Sequence, residues 1–269
     1  MNFIGLKYIT ILCFFAAVSH AQNSLSLTGS AAGFSVGQST VAWNDAHASA
    51  NNQAGMLGTD NLSFQASAGM QWGFVPVFSV SGSKRINRSN AFGMSIKHIG
   101  DSDLNNQIIG LSYARKILKN WDIGIQADLL TYQTRSFGSR YLATMELSSM
   151  MQATEKLRIG FHIFNPFGLA LTESRDIPAI FRLGALYSLS EKVSMMAEVE
   201  QDLVLGYNLK AGLEYELVDK LHLRAGFTTG GNQLHFGLSY GFGNYTIHGA
   251  SSLHPQLGFT PAGEISFQN

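Results

Sequence analysis

The sequence contains a single cysteine, Cys13, so it offers no pair of cysteines for a disulfide and no cysteine-ligated metal site. Charged residues are also scarce, at 13% of the chain, about half of the 25% that is usual for soluble domains. Beyond the N-terminal segment, no stretch approaches the roughly 18 consecutive apolar residues that indicate a transmembrane helix. These absences exclude a disulfide scaffold and a helical membrane protein.

The first 21 residues have the layout of a secretory signal peptide. Lys7 precedes the apolar run 8–18, and the small residues Ser19 and Ala21 follow, so cleavage is expected after Ala21. A run of this length is too short to span a bilayer as a helix, which needs about 20 residues. The sequence therefore predicts an exported chain.

The mature chain has nearly balanced charge. Removal of Lys7 leaves 17 of the 18 basic residues against 18 acidic ones. Nucleic-acid surfaces need a basic excess. A nucleic-acid partner is therefore excluded.

From Leu62 to Phe267 the chain consists of short segments in which apolar and polar residues alternate. In residues 206–217, for example, Tyr207 and Leu209 alternate with Asn208 and Lys210. This period of two predicts β-strands, separated here by turn residues. The predicted strands are 62–70, 72–83, 90–100, 106–118, 120–134, 140–154, 156–165, 178–189, 191–202, 206–217, 220–228, 232–241, 244–252 and 257–267.

Alternation by itself fits both a soluble sandwich and a membrane barrel, because either places its apolar row on one face. The signal peptide, the low charge and the long helix-free series of strands favour the barrel. The even strand number and the strand lengths agree with it, as does a predicted separation of tight turns and longer loops at opposite rims. We predict an all-β protein: a transmembrane antiparallel up-and-down β-barrel of about 14 strands over residues 62–269.

Residues 22–61 are rich in Ser, Ala, Gly and Asn and are too polar to form barrel wall. We predict that they form a hatch inside or under the barrel, with a short helical turn within 45–52. Glycines recur inside the predicted strands, mostly on the lumen side, where they would make room for this segment.

Acidic and basic residues share the lumen-facing row of the predicted barrel. One interpretation is a network that satisfies a buried polar interior. The other is the lining of a substrate-selective channel. The residues concerned are Asp128, Arg140, Glu146, Arg182, Glu198, Glu200, Lys210, Glu214, Glu216 and Arg224.

The longest predicted loop opens with an unusually apolar stretch that includes Pro166, Phe167 and Leu169. Exposed apolar patches mark partner contacts, whereas a loop that folds back onto the rim would bury the same residues. Both alternatives stay open from the sequence.

Catalytic and metal-binding patterns are weak. Ser239 and His235 share one face of a strand at a separation of about 13 Å, too far for a nucleophile and its base. The histidines lack metal-ligand spacing. We predict a protein that is not an enzyme and that needs no metal or cofactor.

The segment Asn51–Met56 is similar to the Asn-Pro-Ala-Gly element of FadL-type outer-membrane transporters and of the PorV/PorQ family of Bacteroidetes-type bacteria. Residues 252–260 resemble the segment that leads into that family's last strand. The resemblance implies a fourteen-stranded barrel with an N-terminal hatch. It also places a hatch turn at Asn52, Gln53, Ala54 and Gly55, with Gln53 in the place of the family's proline.

The two branches of this superfamily imply different functions. FadL-type members pass hydrophobic molecules through the outer membrane, whereas PorV-type members serve type IX secretion. The charged lumen favours an accessory or structural barrel of the secretion type, and a FadL-like transporter is the alternative. The expected partners are outer-membrane lipid, the barrel-assembly machinery and secretion-system components. Phe167 would be a contact for the last of these, and Phe267 lies two residues before the C-terminus, which displaces the usual terminal aromatic assembly signal.

Overall fold

A computed structural model describes residues 29–71, 73–136, 138–172 and 175–269. The predicted signal peptide, residues 1–21, lies outside the described residues. Trp72, at the predicted start of the second strand, also lies outside them.

Most of the described chain is β-structure. The strands are β1 Leu62–Gln71, β2 Val75–Asn87, β3 Asn90–Gly100, β4 Leu104–Leu118, β5 Trp121–Thr134, β6 Gly138–Gln152, β7 Leu157–Phe164, β8 Ala170–Thr172, β9 Arg175–Asp176, β10 Ile180–Ser188, β11 Val193–Asp202, β12 Gly206–Val218, β13 Leu221–Thr228, β14 Gln233–Phe242, β15 Tyr245–His254 and β16 Gly258–Gln268. The N-terminal part has helices α1 Ala31–Ser35 and α2 Ala48–Asn51 and a 3₁₀ helix Gln53–Gly58. Of these, α2 lies within the predicted range 45–52, and the sequence did not indicate α1.

Fourteen strands, β1–β7 and β10–β16, form one closed antiparallel barrel. Each strand pairs with the next along the chain, and β1 pairs with β16 to close the wall. The short strands β8 and β9 form a separate hairpin within the connection 165–179. The predicted fourteen-stranded up-and-down barrel is confirmed.

The two faces of the wall differ in polarity. On β12, Tyr207, Leu209 and Leu213 point outward with 72%, 44% and 42% of their surface exposed, whereas Lys210 points into the lumen and is 4% exposed. The same alternation holds on the neighbouring strands, so the outer surface is apolar and the interior is polar. This is the reverse of a soluble β-protein, and it is the arrangement of a wall that faces lipid.

Connections at the two rims are more alike than the sequence predicted. One rim, here called the turn rim, holds connections of two to four residues. These are the connections after β2, β4, β6, β10, β12 and β14. The opposite rim, here called the loop rim, holds the connections after β1, β3, β5, β7, β11, β13 and β15. Of these connections, 165–179 is long and the others have three or four residues. The strands extend further than predicted, because alternation continues through polar rim residues. The predicted long connection at 84–89 is therefore a turn at 88–89, since β2 runs on to Asn87.

Residues 29–58, here called the hatch, cross the lumen. Helix α1 contacts β13–β16 and β1, while α2 and the 3₁₀ helix contact β2–β6. Between them, Val36 lies against Gly212 of β12, and Val41 reaches β7, β10 and β11. The hatch therefore contacts all fourteen barrel strands and plugs the lumen. None of the helices within residues 29–71, 73–136, 138–172 and 175–269 is long and apolar enough to cross a membrane.

Lumen-facing glycines let the hatch backbone lie directly against the wall. A Cβ atom on Gly160 would lie 2.1 Å from the carbonyl oxygen of Val41, and one on Gly226 would lie 2.1 Å from the nitrogen of Gly37. Both distances are far below van der Waals contact, and the opposing atoms belong to backbone, which cannot rotate away. These positions therefore accept no larger residue while the hatch stays in place.

We expect Gly160→Leu and Gly226→Leu to displace the hatch, because overpacking at a rigid contact costs about 1–3 kcal/mol or more. The hatch should become sensitive to protease in the folded barrel, which is measured by limited proteolysis beside heat-modifiable migration on gels. Gly249→Leu is the control, since its Cβ meets no atom within 4 Å. Hatches equally protected in all three variants would contradict the close contact.

Candidate functional site

Asn52 organises the turn of the hatch that the family resemblance pointed to. It caps the 3₁₀ helix with its side chain, which accepts a hydrogen bond from the Ala54 nitrogen at 3.2 Å. Its amide nitrogen donates to the Val41 carbonyl at 2.6 Å and to the Ser149 carbonyl of β6 at 3.2 Å. Gly55 completes the turn through its nitrogen, which donates to the Asn52 carbonyl at 2.9 Å. One side chain thus links two parts of the hatch to the wall.

Three wall carboxylates, called here the anchor carboxylates, hold the hatch at its start, middle and end. Glu264 of β16 accepts hydrogen bonds from the Ser30 hydroxyl at 2.7 Å and from the Ala32 nitrogen at 3.2 Å, at the start of α1. The other two anchor carboxylates are Glu198 of β11 and Glu146 of β6.

Glu198 lies at the centre of a buried cluster of charges. The guanidinium of Arg182 binds it through two hydrogen bonds, of 2.7 and 3.1 Å, and Lys210 Nζ lies 3.1 Å away. Glu198 also accepts the backbone N–H of Val41 at 2.9 Å. Lys210 binds Glu200 as well, at 2.6 Å. Two carboxylates and two cations therefore balance one another inside the barrel.

Arg182 also reaches the hatch directly. Its Nη1 donates to Asn51 Oδ1 at 2.8 Å, and its Nη2 donates to the Thr40 hydroxyl at 3.3 Å. The side chain is 1% exposed and lies among the most deeply buried of the described residues. The sequence placed Arg182 in the lumen, but Thr40 and Asn51 carried no signal for this contact, since tertiary packing alone brings them to it.

The third anchor carboxylate, Glu146, binds Gln53 of the hatch. The Gln53 amide nitrogen donates to Glu146 at 2.5 Å, and His162 Nε2 lies 2.9 Å from the same carboxylate oxygen. A proline at position 53 has no side-chain donor. The departure from the family's Asn-Pro-Ala-Gly element therefore adds a hatch-to-wall contact here. Asp128, on the next strand, accepts a hydrogen bond from Gln126 at 2.8 Å.

Arg224 binds Glu214 nearer the turn rim, at 2.5 Å, and its guanidinium lies 5.2 Å from the centroid of the Trp43 ring of the hatch. Glu216 lies two residues beyond Glu214 toward that rim and is paired in register with His222. Arg140 lies exposed near the loop rim, away from these clusters. The ten predicted lumen residues thus separate into buried groups that hold the hatch and a few residues at the rims.

Ser239 lies within hydrogen-bond distance of a histidine on the neighbouring strand rather than of His235 on its own strand. Its hydroxyl is 2.7 Å from His248 Nδ1, because the register pairs the two residues across β14 and β15. Arg224 donates a hydrogen bond to the same hydroxyl. Ser239 is 1% exposed, so a substrate carbonyl cannot approach it. The contact belongs to the polar network.

The long connection 165–179 folds inward at its base and outward at its tip. The Asn165 amide nitrogen donates to the Leu169 and Ile177 carbonyls at 3.1 and 3.0 Å, and Ile177 packs in a buried apolar cluster with Phe164. At the tip, Phe167 is 69% exposed and Leu169 is 38% exposed, while Pro166 is half-buried. The apolar tip is therefore exposed and is not buried by folding back, and only the base of the loop packs onto the barrel.

A cavity, here called the outer cavity, lies between the hatch and the loop rim. The space between its lining residues is about 1210 Å³, a volume that includes open solvent at the mouth of the cavity. Its lining combines apolar side chains with polar ones, and α1 of the hatch forms part of its floor. The lining includes Phe34, Ile180, Leu205, Glu200, Asp202 and Gln233. Asp202 lies two residues after Glu200 and four after Glu198 on the same strand, so its side chain also faces the lumen. This alternation is the signal by which the sequence could have identified it.

No model of a known protein family matches the sequence, and no curated protein matches it. Solved structures do match the fold. A FadL homologue from Pseudomonas aeruginosa superposes with a TM-score of 0.65 at 14% identity, covering 89% of this chain and 98% of that one.

Two channels for aromatic compounds share the same architecture. The CymD monoaromatic hydrocarbon channel gives a TM-score of 0.64 at 11% identity, covering 87% of this chain and 97% of that one. The toluene transporter TodX from Pseudomonas putida gives 0.54 at 12% identity, covering 82% and 91%. This chain therefore has the fold of the FadL-type outer-membrane barrels.

Proposed function

We propose that this protein is an outer-membrane channel that admits small, largely apolar molecules, as the transporter alternative from the sequence suggested. The outer cavity is the observation that carries the proposal. It opens at one rim, is floored by the hatch and is partly lined by apolar side chains, and ligand sites have this combination of features. The fold shared with hydrocarbon channels supports the same function.

The apolar outer wall and the predicted signal peptide support a location in the outer membrane. In such barrels the short turns face the periplasm. Since the long connection 165–179 lies at the loop rim, the turn rim is assigned to the periplasm, and the outer cavity faces the cell exterior. A molecule would therefore reach the cavity before the hatch.

Passage beyond the cavity requires the hatch to shift, because it contacts all of the barrel strands. The contacts made by the anchor carboxylates are hydrogen bonds and ion pairs, and water can replace these when they open. Hydrogen bonds to charged groups contribute about 1.5–3 kcal/mol each, since water competes for both partners. The hatch also packs apolar side chains against the wall, since Val36 and Trp43 share a buried cluster with Leu186 and Met196, so a shift of the hatch opens polar and apolar contacts together.

Filling the outer cavity should block uptake. Ala262 lines the cavity, and we expect Ala262→Trp to lower the rate of toluene uptake by about tenfold or more in cells that express the protein. Ala225→Trp is the matched control, since Ala225 points outward from β13. Equal uptake by the two variants, each migrating as a folded barrel, would refute the route through the cavity.

Neutralising the central anchor carboxylate should loosen the hatch. Glu198→Gln removes the more deeply buried of the two carboxylates that Arg182 and Lys210 share, and breaking a buried ion pair typically costs about 3–5 kcal/mol. We expect higher ion conductance through the barrel in planar bilayers. Asp103→Asn should leave conductance unchanged, since its pair with Arg135 is exposed at the rim. Unchanged conductance in Glu198→Gln would show that the hatch does not depend on this cluster.

A second candidate is the accessory barrel for type IX secretion that the PorV/PorQ resemblance suggested. One observation favours it: the exposed Phe167 lies at the tip of the longest connection among the described residues. An exposed aromatic side chain of this kind suits a protein contact. The fold comparisons support the channel more directly.

If Phe167 contacts a secretion component, Phe167→Asp should abolish co-purification of that component from native outer membranes. Barrel folding should be unaffected, because the side chain is exposed. Leu203→Asp, at another exposed loop position with 62% exposure, controls for added charge at the loop rim. Co-purification that persists in Phe167→Asp would count against this candidate.

A further inference from the structure

Asp202 presents a buried carboxylate oxygen that no described residue satisfies. The residue ends β11, lines the outer cavity and is 5% exposed. Its Oδ1 accepts hydrogen bonds from the Val204 and Leu205 nitrogens, at 2.7 and 3.1 Å. Its Oδ2 is buried, with no donor in hydrogen-bond distance among the described residues. The loop thus fixes the carboxylate through Oδ1, while Oδ2 is left without a donor among the described residues.

The charge around this oxygen is negative. Glu200 also lines the cavity, but Lys210 binds it at 2.6 Å and offsets its charge. The described lining contains no lysine or arginine. His254, also in the lining, accepts the Gln256 and Leu257 nitrogens at its Nδ1, as a neutral imidazole does. Asp202 is therefore a carboxylate without a paired cation in this lining.

Apolar side chains complete the surroundings. Phe34 of the hatch, Ile180 at the start of β10 and Leu205 of the adjoining loop lie in the same lining. A buried carboxylate without a partner is costly, and a bound cation that donates a hydrogen bond removes that cost. A ligand that suits both features has an apolar body and a cationic nitrogen.

We propose that the outer cavity selects small aromatic or aliphatic amines, whose ammonium group donates to Asp202 Oδ2 while the apolar body contacts Phe34, Ile180 and Leu205. The inference rests on the proposed function, in which the outer cavity is the site where molecules enter the channel. It deepens that function by naming the substrate class, and it distinguishes amines from neutral hydrocarbons and from carboxylates.

Calorimetric titration of the detergent-purified protein at neutral pH tests the proposal with three probes of similar size: benzylamine, benzyl alcohol and benzoate. We expect benzylamine, as the ammonium ion, to bind at least about tenfold more tightly than benzyl alcohol, since charge-assisted hydrogen bonds are the stronger kind. Benzoate should bind most weakly, because it meets a carboxylate of like charge.

Asp202→Asn is the decisive variant, because an asparagine keeps the Oδ1 acceptor for the loop and replaces only the charged oxygen. It should abolish the preference for benzylamine and leave benzyl alcohol binding within about twofold of its original affinity. Asp103→Asn, which removes a carboxylate at the loop rim outside the cavity, should retain the preference. Heat-modifiable migration verifies that each variant is folded.

The outcomes separate this inference from the proposed function. If benzyl alcohol and benzylamine bind equally, or if Asp202→Asn keeps the preference, the selection of amines is overturned while the channel stands. If none of the probes binds, the outer cavity is not a ligand site, and both proposals fall. Tightest binding of benzoate would also overturn the inference.

Discussion

The contact between the hatch backbone and the lumen-facing glycines is the constraint on which the rest of the structure depends. A barrel of fourteen strands has a lumen of limited width, and this lumen must hold a polypeptide that touches every strand. Without side chains at positions such as Gly160 and Gly226, main chain lies against main chain. The hatch then brings its polar groups within reach of the wall carboxylates.

Those carboxylates determine where the lumen is closed. Glu264, Glu198 and Glu146 bind the start, middle and end of the hatch, and the cations Arg182 and Lys210 offset the central charge. A charge in a low-dielectric interior needs such partners. The hatch therefore supplies partners to these three carboxylates, while other buried polar atoms of the interior, among them Lys97 Nζ and Asp128 Oδ2, have no hydrogen-bond partner among the described residues.

The two interpretations of the polar lumen thus apply to different levels of the barrel. The network of paired charges is structural and belongs to the plug. The cavity toward the loop rim combines apolar surface with the unpartnered Asp202 oxygen on which the proposed selection of amines rests. A charged lumen, which from the sequence counted against a conduit for apolar molecules, is compatible with the proposed channel because Glu198 and Glu146 are engaged in contacts with the hatch.

Local alternation made most of the fold predictable. A period of two requires strands, and low charge together with an apolar row on every strand requires that row to face something other than water. The lumen-facing position of Arg182, Glu198 and Lys210 followed in the same way, since neighbouring side chains in a strand point to opposite faces. The lumen-side glycines were also evident from this parity.

Position within the sequence did not indicate which residues meet across strands or across the lumen. The pairing of Ser239 with His248 depends on strand register, and the contact of Arg182 with Asn51 depends on how the hatch winds. Both are set by closure of the whole barrel. The sequence by itself therefore determined the strands, their number and the polarity of each face, because these follow from near neighbours along the chain. Only the tertiary structure decided how the hatch is held and that Asp202 faces a cavity, because such contacts join residues far apart in sequence.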